Sequence, residues 1–236
     1  MAYSATVTAC CKTDPVTDPR GWNARAVGLL AAGALAGVCS ANFLLDLALR
    51  GGQGMDHIIS ELAADGQPNA TLLRVTDVVC AVLALLLALA VRPALRPGLG
   101  RELVTWGTVA YGVGAIGAAL VHSCAPGAVC EGAASTEAVV HNLLSVVSEG
   151  GIAVSMIGGW WATRRAGPVW FGRWAIVLLA VMLVALAIGG VLLLEGQGFS
   201  PASAYLQRLQ ILPISGWLVC LGVLAAQHAR SGSGSG

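Results

Sequence analysis

The chain has 236 residues, of which 56% are hydrophobic and 11% are charged, and its mean hydropathy is +0.77. Soluble domains carry about 25% charged residues, so this composition cannot cover a globule with polar surface and predicts a membrane protein. The formal net charge of +1 gives no support to nucleic-acid binding. The bias towards Ala, Gly, Val, Leu and Arg, with the single lysine Lys12, favours a GC-rich bacterial genome.

The chain divides into three parts by composition. Residues 1–25 are polar and lack the charged start, apolar core and cleavage site of a signal peptide, so we expect a retained tail. Residues 26–229 hold the apolar runs and form the predicted transmembrane domain. Residues 230–236, which read RSGSGSG, are predicted to be a flexible tail.

Six apolar runs are each long enough to cross a hydrocarbon core, which takes about 20 helical residues. The fold class is therefore predicted to be all-α, a polytopic integral membrane bundle of six transmembrane helices. The runs are Ala26–Leu49, Leu72–Val91, Leu103–His122, Ala138–Ala162, Trp170–Leu194 and Ser203–Gln227.

Arginine placement predicts the orientation of this bundle. Basic residues precede the first run, follow the last, and otherwise fall in the second and fourth loops, whereas most acids fall in the first, third and fifth loops. Because cytoplasmic loops are enriched in Lys and Arg, both termini are expected in the cytoplasm and the protein in the plasma membrane. The first, third and fifth loops would then face outwards.

Two outer loops carry local predictions. The segment Asp56–Ala64 in the first outer loop is predicted to form a short interfacial helix bearing Ile58, Ile59 and Leu62. The third loop contains Cys124 and Cys130 around a Pro-Gly pair that favours a turn, and it would face an oxidising compartment. We therefore predict a disulfide between these cysteines; two free thiols are the alternative.

The fourth run carries His141, Ser145 and Glu149, which are spaced four residues apart and share one helical face. Ionisable groups inside a bilayer are costly and usually face a bundle interior or a watery cavity. Asp77 and Arg208 also lie in the outer halves of their helices. The sequence therefore predicts a polar cavity in the outer half of the bundle.

The partners of these charges stay open in the sequence. Arg74 and Asp77 are three residues apart and could pair with each other, but we expect Asp77 to pair with Arg208 across two helices. His141 and Glu149 could equally be interhelical hydrogen-bonding groups. Ser145 is expected to bond back to its own helix.

Three stretches carry a family resemblance. They are Ile59-Ser-Glu-Leu-Ala63 with Pro68, Arg74 and Asp77; the acid-containing third loop leading to His141; and Leu206-Gln-Arg208 followed by Trp217. Together they resemble a bacterial and archaeal membrane family known only as domain of unknown function 998, over most of Ala26 to Gln227. The resemblance implies a six-helix membrane fold and no secure activity.

Three functions remain open. The first is a lipid- or isoprenoid-processing enzyme, in which Glu149, kept protonated by burial, acts as a general acid with His141 and Asp77 beside it. In this hypothesis Arg208, Arg74, Ser145 and Gln210 bind the substrate.

The second function is a transporter or a protein that binds a small ligand or lipid, with a proton relay at His141 and Glu149 and a lipid-like or anionic group at the arginines. The third is an accessory structural membrane protein. The sequence predicts no metal site, because it has no HExxH motif and no tight histidine cluster, and it names no cofactor. Membrane lipid is the one expected partner, and the oligomeric state stays open.

Overall fold

The computed structural model describes residues 22–121, 133–165, 167–196 and 200–232 of the chain. All regular structure in these ranges is helical, which confirms the predicted fold class. The helices are α1 (Ala24–Ser40), α2 (Phe43–Leu49), α3 (Ile59–Leu62), α4 (Ala70–Val91), α5 (Leu99–Leu120), α6 (Ala133–Thr163), α7 (Val169–Leu194) and α8 (Pro201–Gly232), and a 3-10 turn at Arg92–Ala94 follows α4.

Five of the described helices are long and apolar enough to cross a membrane, namely α4, α5, α6, α7 and α8. The first predicted span is not one straight helix: α1 and α2 meet at a 60° bend, and they supply a sixth span only when counted together. The break falls at Ala41 and Asn42, inside the apolar run that we expected to be continuous. The short helix predicted in the first outer loop is present as α3, but Ile59 and Leu62 are buried in the protein.

The long helices form a closed ring in chain order. Each of α1, α4, α5, α6, α7 and α8 packs against the next, α8 closes the ring against α1, and α4 also touches α8 across the middle. Neighbouring long helices run antiparallel: along the α5–α6 contact, for example, Gly100 lies against Ala162 and Gly114 against Ser148. The end of α1, the start of α4, the end of α5 and the starts of α6 and α8 therefore lie at one end of the bundle, together with the 50–69 segment.

Glycines set the closest helix approach, between α5 and α6. Gly100, Gly107 and Gly114 are seven residues apart, which is nearly two full helical turns, so they lie along one stripe of α5. A Cβ atom added to Gly114 would lie 2.7 Å from both Leu144 O and Ser148 N. The two backbones are thus in contact, as small residues allow in membrane helices. This contact fixes the rotation of α6 and hence where its polar face points.

A buried network of hydrogen bonds links α5, α6 and α8. Trp217 in α8 donates from Nε1 to Ser155 Oγ of α6 at 2.9 Å, and the hydroxyls of Ser155 and Thr108 of α5 lie 2.8 Å apart. Trp217 also packs on Phe171 of α7, with ring centroids 4.7 Å apart. Each polar atom in this network has a partner, so it is interhelical support with no unused group.

The opposite end of the bundle carries arginines beside tryptophans. Arg164 lies over the Trp161 ring at 3.6 Å from its centroid, and Arg230 lies over Trp22 at 4.8 Å. Such pairs are typical of a membrane–water interface. The assignment of this end to the cytoplasm remains a prediction from charge.

Candidate functional site

A cavity of about 160 Å³ lies at the end of the bundle that carries the 50–69 segment. This volume is well above the roughly 10–15 Å³ that one water molecule needs. Its walls come from every part of the ring except α7: the α1–α2 break, the 59–63 segment, α4, α5, α6 and α8. Five of the seven predicted catalytic and substrate-binding residues line it, namely Asp77, Arg74, His141, Ser145 and Glu149.

The polar face of α6 forms one wall of this cavity. His141, Ser145 and Glu149 line it together with Ser148, whereas Leu143 and Val146 on the same helix are 61% and 66% exposed on the outer surface. The helix therefore turns its polar residues inwards and its apolar residues towards lipid. Ser145 Oγ donates to His141 O at 3.0 Å, the back-bond to its own helix that we expected.

His141 closes the end of α5. Its Nδ1 lies 2.9 Å from Ala118 O and 2.8 Å from Val121 O. Carbonyl oxygens only accept hydrogen bonds, so Nδ1 carries the proton, and Nε2 of the neutral ring is an acceptor. These carbonyls lie at a helix terminus, where intrahelical donors run out, so His141 acts as a cap as well as a wall residue.

Asp77 is held by the break in the first span. Asn42 lies between α1 and α2, is 3% exposed, and donates from Nδ2 to Asp77 Oδ1 at 2.7 Å. The same amide nitrogen lies 3.1 Å from Leu73 O and 2.9 Å from Thr76 Oγ1. Asn42 therefore fixes the bend to the first turns of α4 and orients the carboxylate at the cavity wall.

The floor of the cavity is formed by Ser40 and Tyr111. Tyr111 of α5 is 6% exposed, and its hydroxyl lies 3.2 Å from Cys80 Sγ of α4. Ser40, at the end of α1, lies next to both groups. Cys80 is itself buried, so it is a packing residue that also gives the Tyr111 hydroxyl a polar neighbour.

The two predicted ligand-binding arginines are engaged elsewhere, so the predicted Asp77–Arg208 pair is wrong. Arg208 is 6% exposed, and its guanidinium donates to Gly54 O, His57 O and Ala204 O, each at 2.9 Å. It does not line the cavity. Arg74 lines the cavity but bonds to the Asp65 carboxylate and to Ala63 O, so the alternative Arg74–Asp77 pair does not form either.

These arginine contacts hold the 50–69 segment over the cavity. Next to Arg208 on α8, Gln207 Oε1 accepts a hydrogen bond from Ile59 N at 2.6 Å, and Ile59 lines the cavity. At the other side Asp46 Oδ1 accepts from Arg50 and Asn69, at 2.9 Å and 2.8 Å. Asp46 is 1% exposed, so these hydrogen bonds are buried at the side of the 50–69 segment.

Gln210, the remaining predicted site residue, lies behind the cavity wall. It is 8% exposed, and its side chain lies beside Glu149, close enough for a hydrogen bond to that carboxyl group, although its Nε2 atom makes no hydrogen bond of good geometry with the described residues. The Nε atom of Arg208, two residues earlier, is buried without a hydrogen bond to the described residues.

Sequence reasoning missed Asn42, Ser40 and Tyr111 as wall residues. The signal for the first two was available, because Ser40 and Asn42 are polar groups in the middle of an otherwise apolar run. Tyr111 had no comparable signal, since a tyrosine in a membrane helix often packs without a site.

Some predictions fall outside the described residues. Cys124, Cys130 and His122 lie there, so the disulfide between the two cysteines stays a prediction. Within the described ranges, Cys39, Cys80 and Cys220 are free thiols. No group of three or more His, Cys, Asp or Glu side chains in those ranges could hold a metal ion.

Comparison with known proteins assigns the chain to a family. No curated protein and no solved structure matches the chain. A family described as "Protein of unknown function (DUF998)" matches residues 30–224, which include every residue that lines the cavity. The match confirms the resemblance seen in the sequence, and the chain therefore belongs to the DUF998 family of multi-pass membrane proteins.

Proposed function

We propose that this protein binds a small polar ligand, or the polar head of a lipid, in the cavity at the 50–69 end of its bundle. The observation that supports this most strongly is the convergence of two carboxylates, Asp77 and Glu149, on one cavity within the membrane-spanning region. Ionisable groups in hydrocarbon are costly, so a cavity that gathers two acids, neither of them in an ion pair with another described residue, suits an occupant from outside. Binding of this kind serves transport or recognition.

The arrangement supports binding better than catalysis. Ser145 Oγ donates to its own helix, and the Nδ1 atom of His141 bonds to the end of α5. Neither residue is therefore arranged as a nucleophile and its base, which need to be within hydrogen-bond reach of each other. The structural hypothesis, in which all charges are interhelical glue, is weakened because Glu149 joins no ion pair formed by the described residues.

The broken first span also favours a binding protein. Discontinuous helices at membrane depth are tolerated where they line a cavity, and many transporters place their ligand site at such a break. Here the break at Ala41 and Asn42 lines the cavity through Asn42. The apolar pattern of the sequence does not reveal this break. The bend therefore supports the transport and binding hypothesis with an observation that composition does not provide.

Native mass spectrometry tests this proposal even while the ligand is unidentified. The protein is released from the membrane in which it was expressed, and bound small-molecule mass is compared between the parent chain and an Asp77→Asn, Glu149→Gln double variant. Glu195→Gln is the matched control, because Glu195 is an exposed acid beyond the end of α7. We expect a bound mass in the parent and the control that the double variant loses. An equal mass in all three would contradict the proposal.

A further inference from the structure

The charge balance of the cavity indicates which ligand it takes. Two carboxylates line it, and none of the ion pairs formed by the described residues involves either of them. The Arg74 guanidinium, which also lines it, is bonded to Asp65 and Ala63 O. The Arg208 guanidinium is occupied by three carbonyl oxygens outside the cavity. The positive charges nearest to the acids are therefore already neutralised or committed to other oxygens.

The other polar side chains of the wall can also accept hydrogen bonds from a ligand. Ser40, Ser60, Ser145 and Ser148 offer hydroxyl groups, Gln207 offers an amide, and His141 turns its Nδ1 atom to the carbonyls of α5. The Asn42 amide, the clearest donor, is already directed at Asp77 and at two oxygens of α4. A wall with two carboxyl groups and several further acceptors suits an occupant that carries donors and positive charge.

The shape of the cavity favours an organic cation over a metal ion. No three His, Cys, Asp or Glu side chains in the described ranges come together, as the three or four protein ligands of a zinc site do. The wall instead adds apolar surface from Ala115, Ala118 and Ala119 on α5, and the Tyr111 ring forms part of the floor. Small alanine side chains leave room for the methylene or methyl groups of such a cation.

We propose that the cavity binds an ammonium group, between the carboxylates of Asp77 on α4 and Glu149 on α6. This inference rests on the proposed binding function and names the chemical class of its ligand. The ammonium group belongs either to a soluble amine or to the head group of a phospholipid such as phosphatidylethanolamine or phosphatidylcholine. An acidic ligand is disfavoured, because both arginines expected to hold it are bonded to protein oxygens.

Two thiol reagents of similar size and opposite charge test the inference directly. Ser145→Cys places a thiol on the cavity wall, and Ala118→Cys on α5 is a second variant in case the first does not fold. In nanodiscs each variant is treated with the trimethylammonium reagent MTSET or with the sulfonate reagent MTSES. Rates are corrected for the seven cysteines of the parent chain and normalised to those of a free thiol in solution.

We expect MTSET to react about tenfold faster than MTSES after normalisation, because a cleft lined by acids concentrates cations. The Asp77→Asn, Glu149→Gln background should remove this preference, whereas Glu195→Gln should keep it. Equal rates for both reagents, or a preference that survives loss of both acids, would overturn the ammonium inference and leave the binding function standing. No reaction of either variant with either reagent above the parent background would overturn both.

Competition then separates the two sources of the ammonium group. Excess tetramethylammonium or ethanolamine in the buffer should slow labelling if the site takes soluble amines. Nanodiscs of phosphatidylethanolamine or phosphatidylcholine should slow it relative to phosphatidylglycerol if the site takes a lipid head group. Protection by either source supports the inference, and protection by neither contradicts it.

Discussion

Two adjacent glycines of α6 give the sharpest test of the packing that orients the cavity wall. A Cβ atom added to Gly151 would lie 2.6 Å from Tyr111 N, 2.7 Å from Gly107 O and 2.9 Å from Ala110 Cβ. A Cβ atom added to Gly150 would meet nothing within 4 Å. The substitutions Gly150→Ala and Gly151→Ala therefore add the same methyl group at adjacent positions. The methyl group of Gly150→Ala points away from the protein, whereas that of Gly151→Ala enters the α5–α6 contact.

The expected magnitudes follow from these distances. Non-bonded heavy atoms are most favourable at about 3.5 Å or more, so Gly151→Ala requires α5 and α6 to separate by about 0.9 Å. Overpacking of this kind costs about 1–3 kcal/mol of unfolding free energy. Alanine also favours a helix over glycine by up to about 1 kcal/mol, but this gain is the same at both positions. The difference between the two variants is therefore the packing cost alone.

Reversible unfolding in mixed micelles of SDS and a mild detergent measures both unfolding free energies. We expect Gly150→Ala to match or slightly exceed the parent, and Gly151→Ala to be less stable than Gly150→Ala by about 1–3 kcal/mol. Two variants of equal stability would mean that the α5–α6 backbones are not in contact. No close contact would then hold the polar face of α6 towards the cavity.

The remaining predictions concern the groups that hold the cavity and its cover. Arg208→Met removes the hydrogen bonds to the carbonyls of residues 54 and 57, so the free energy of local opening of this segment should fall by about 2 kcal/mol. Amide hydrogen exchange in the segment should then be about 30-fold faster. The control Arg165→Met, at an exposed position, should leave the exchange rate unchanged. Asn42→Leu removes the hydrogen bonds of Asn42 to α4, so the free energy of unfolding should fall by about 1 kcal/mol, measured by thermal unfolding. The control Asn142→Leu, at an exposed position, should leave the free energy of unfolding unchanged. Ser155→Ala should lower the free energy of unfolding by a similar amount, because it leaves Trp217 Nε1 without its acceptor. An unchanged free energy of unfolding in that variant would mean that the hydrogen bonds among Trp217, Ser155 and Thr108 are not formed.

The spans and the polar face of α6 could be predicted from sequence because both depend on local spacing. An apolar run of about 20 residues has few alternatives to a membrane helix. Residues four apart share a helical face in any context, so His141, Ser145 and Glu149 had to lie together on α6. This face lies across a cavity from Asp77 because the α5–α6 glycine contact fixes the rotation of α6. Residue spacing within α6 does not determine that rotation.

The break in the first span and the arginine partners could not be predicted in the same way. Ser40 and Asn42 are polar, but without a proline or glycine at Ala41 or Asn42 they do not by themselves predict a bend, which depends on acceptors from α4. Arg208 was expected to find an acid, because a charge in lipid needs a partner. Instead it donates to two backbone carbonyls of the 50–69 segment and to one carbonyl of its own helix. The sequence does not show which loop oxygens come within reach of a side chain when the protein folds.

The direction of the α6 polar face can be measured with a nitroxide label on successive residues of the helix. Power-saturation electron paramagnetic resonance in nanodiscs compares collisions with oxygen, which partitions into lipid, and with a water-soluble nickel complex. At Ser145→Cys we expect nickel collisions to dominate, and at Val146→Cys, which faces outwards, we expect oxygen to dominate. Oxygen dominance at both positions would contradict a water-accessible chamber lined by Asp77 and Glu149.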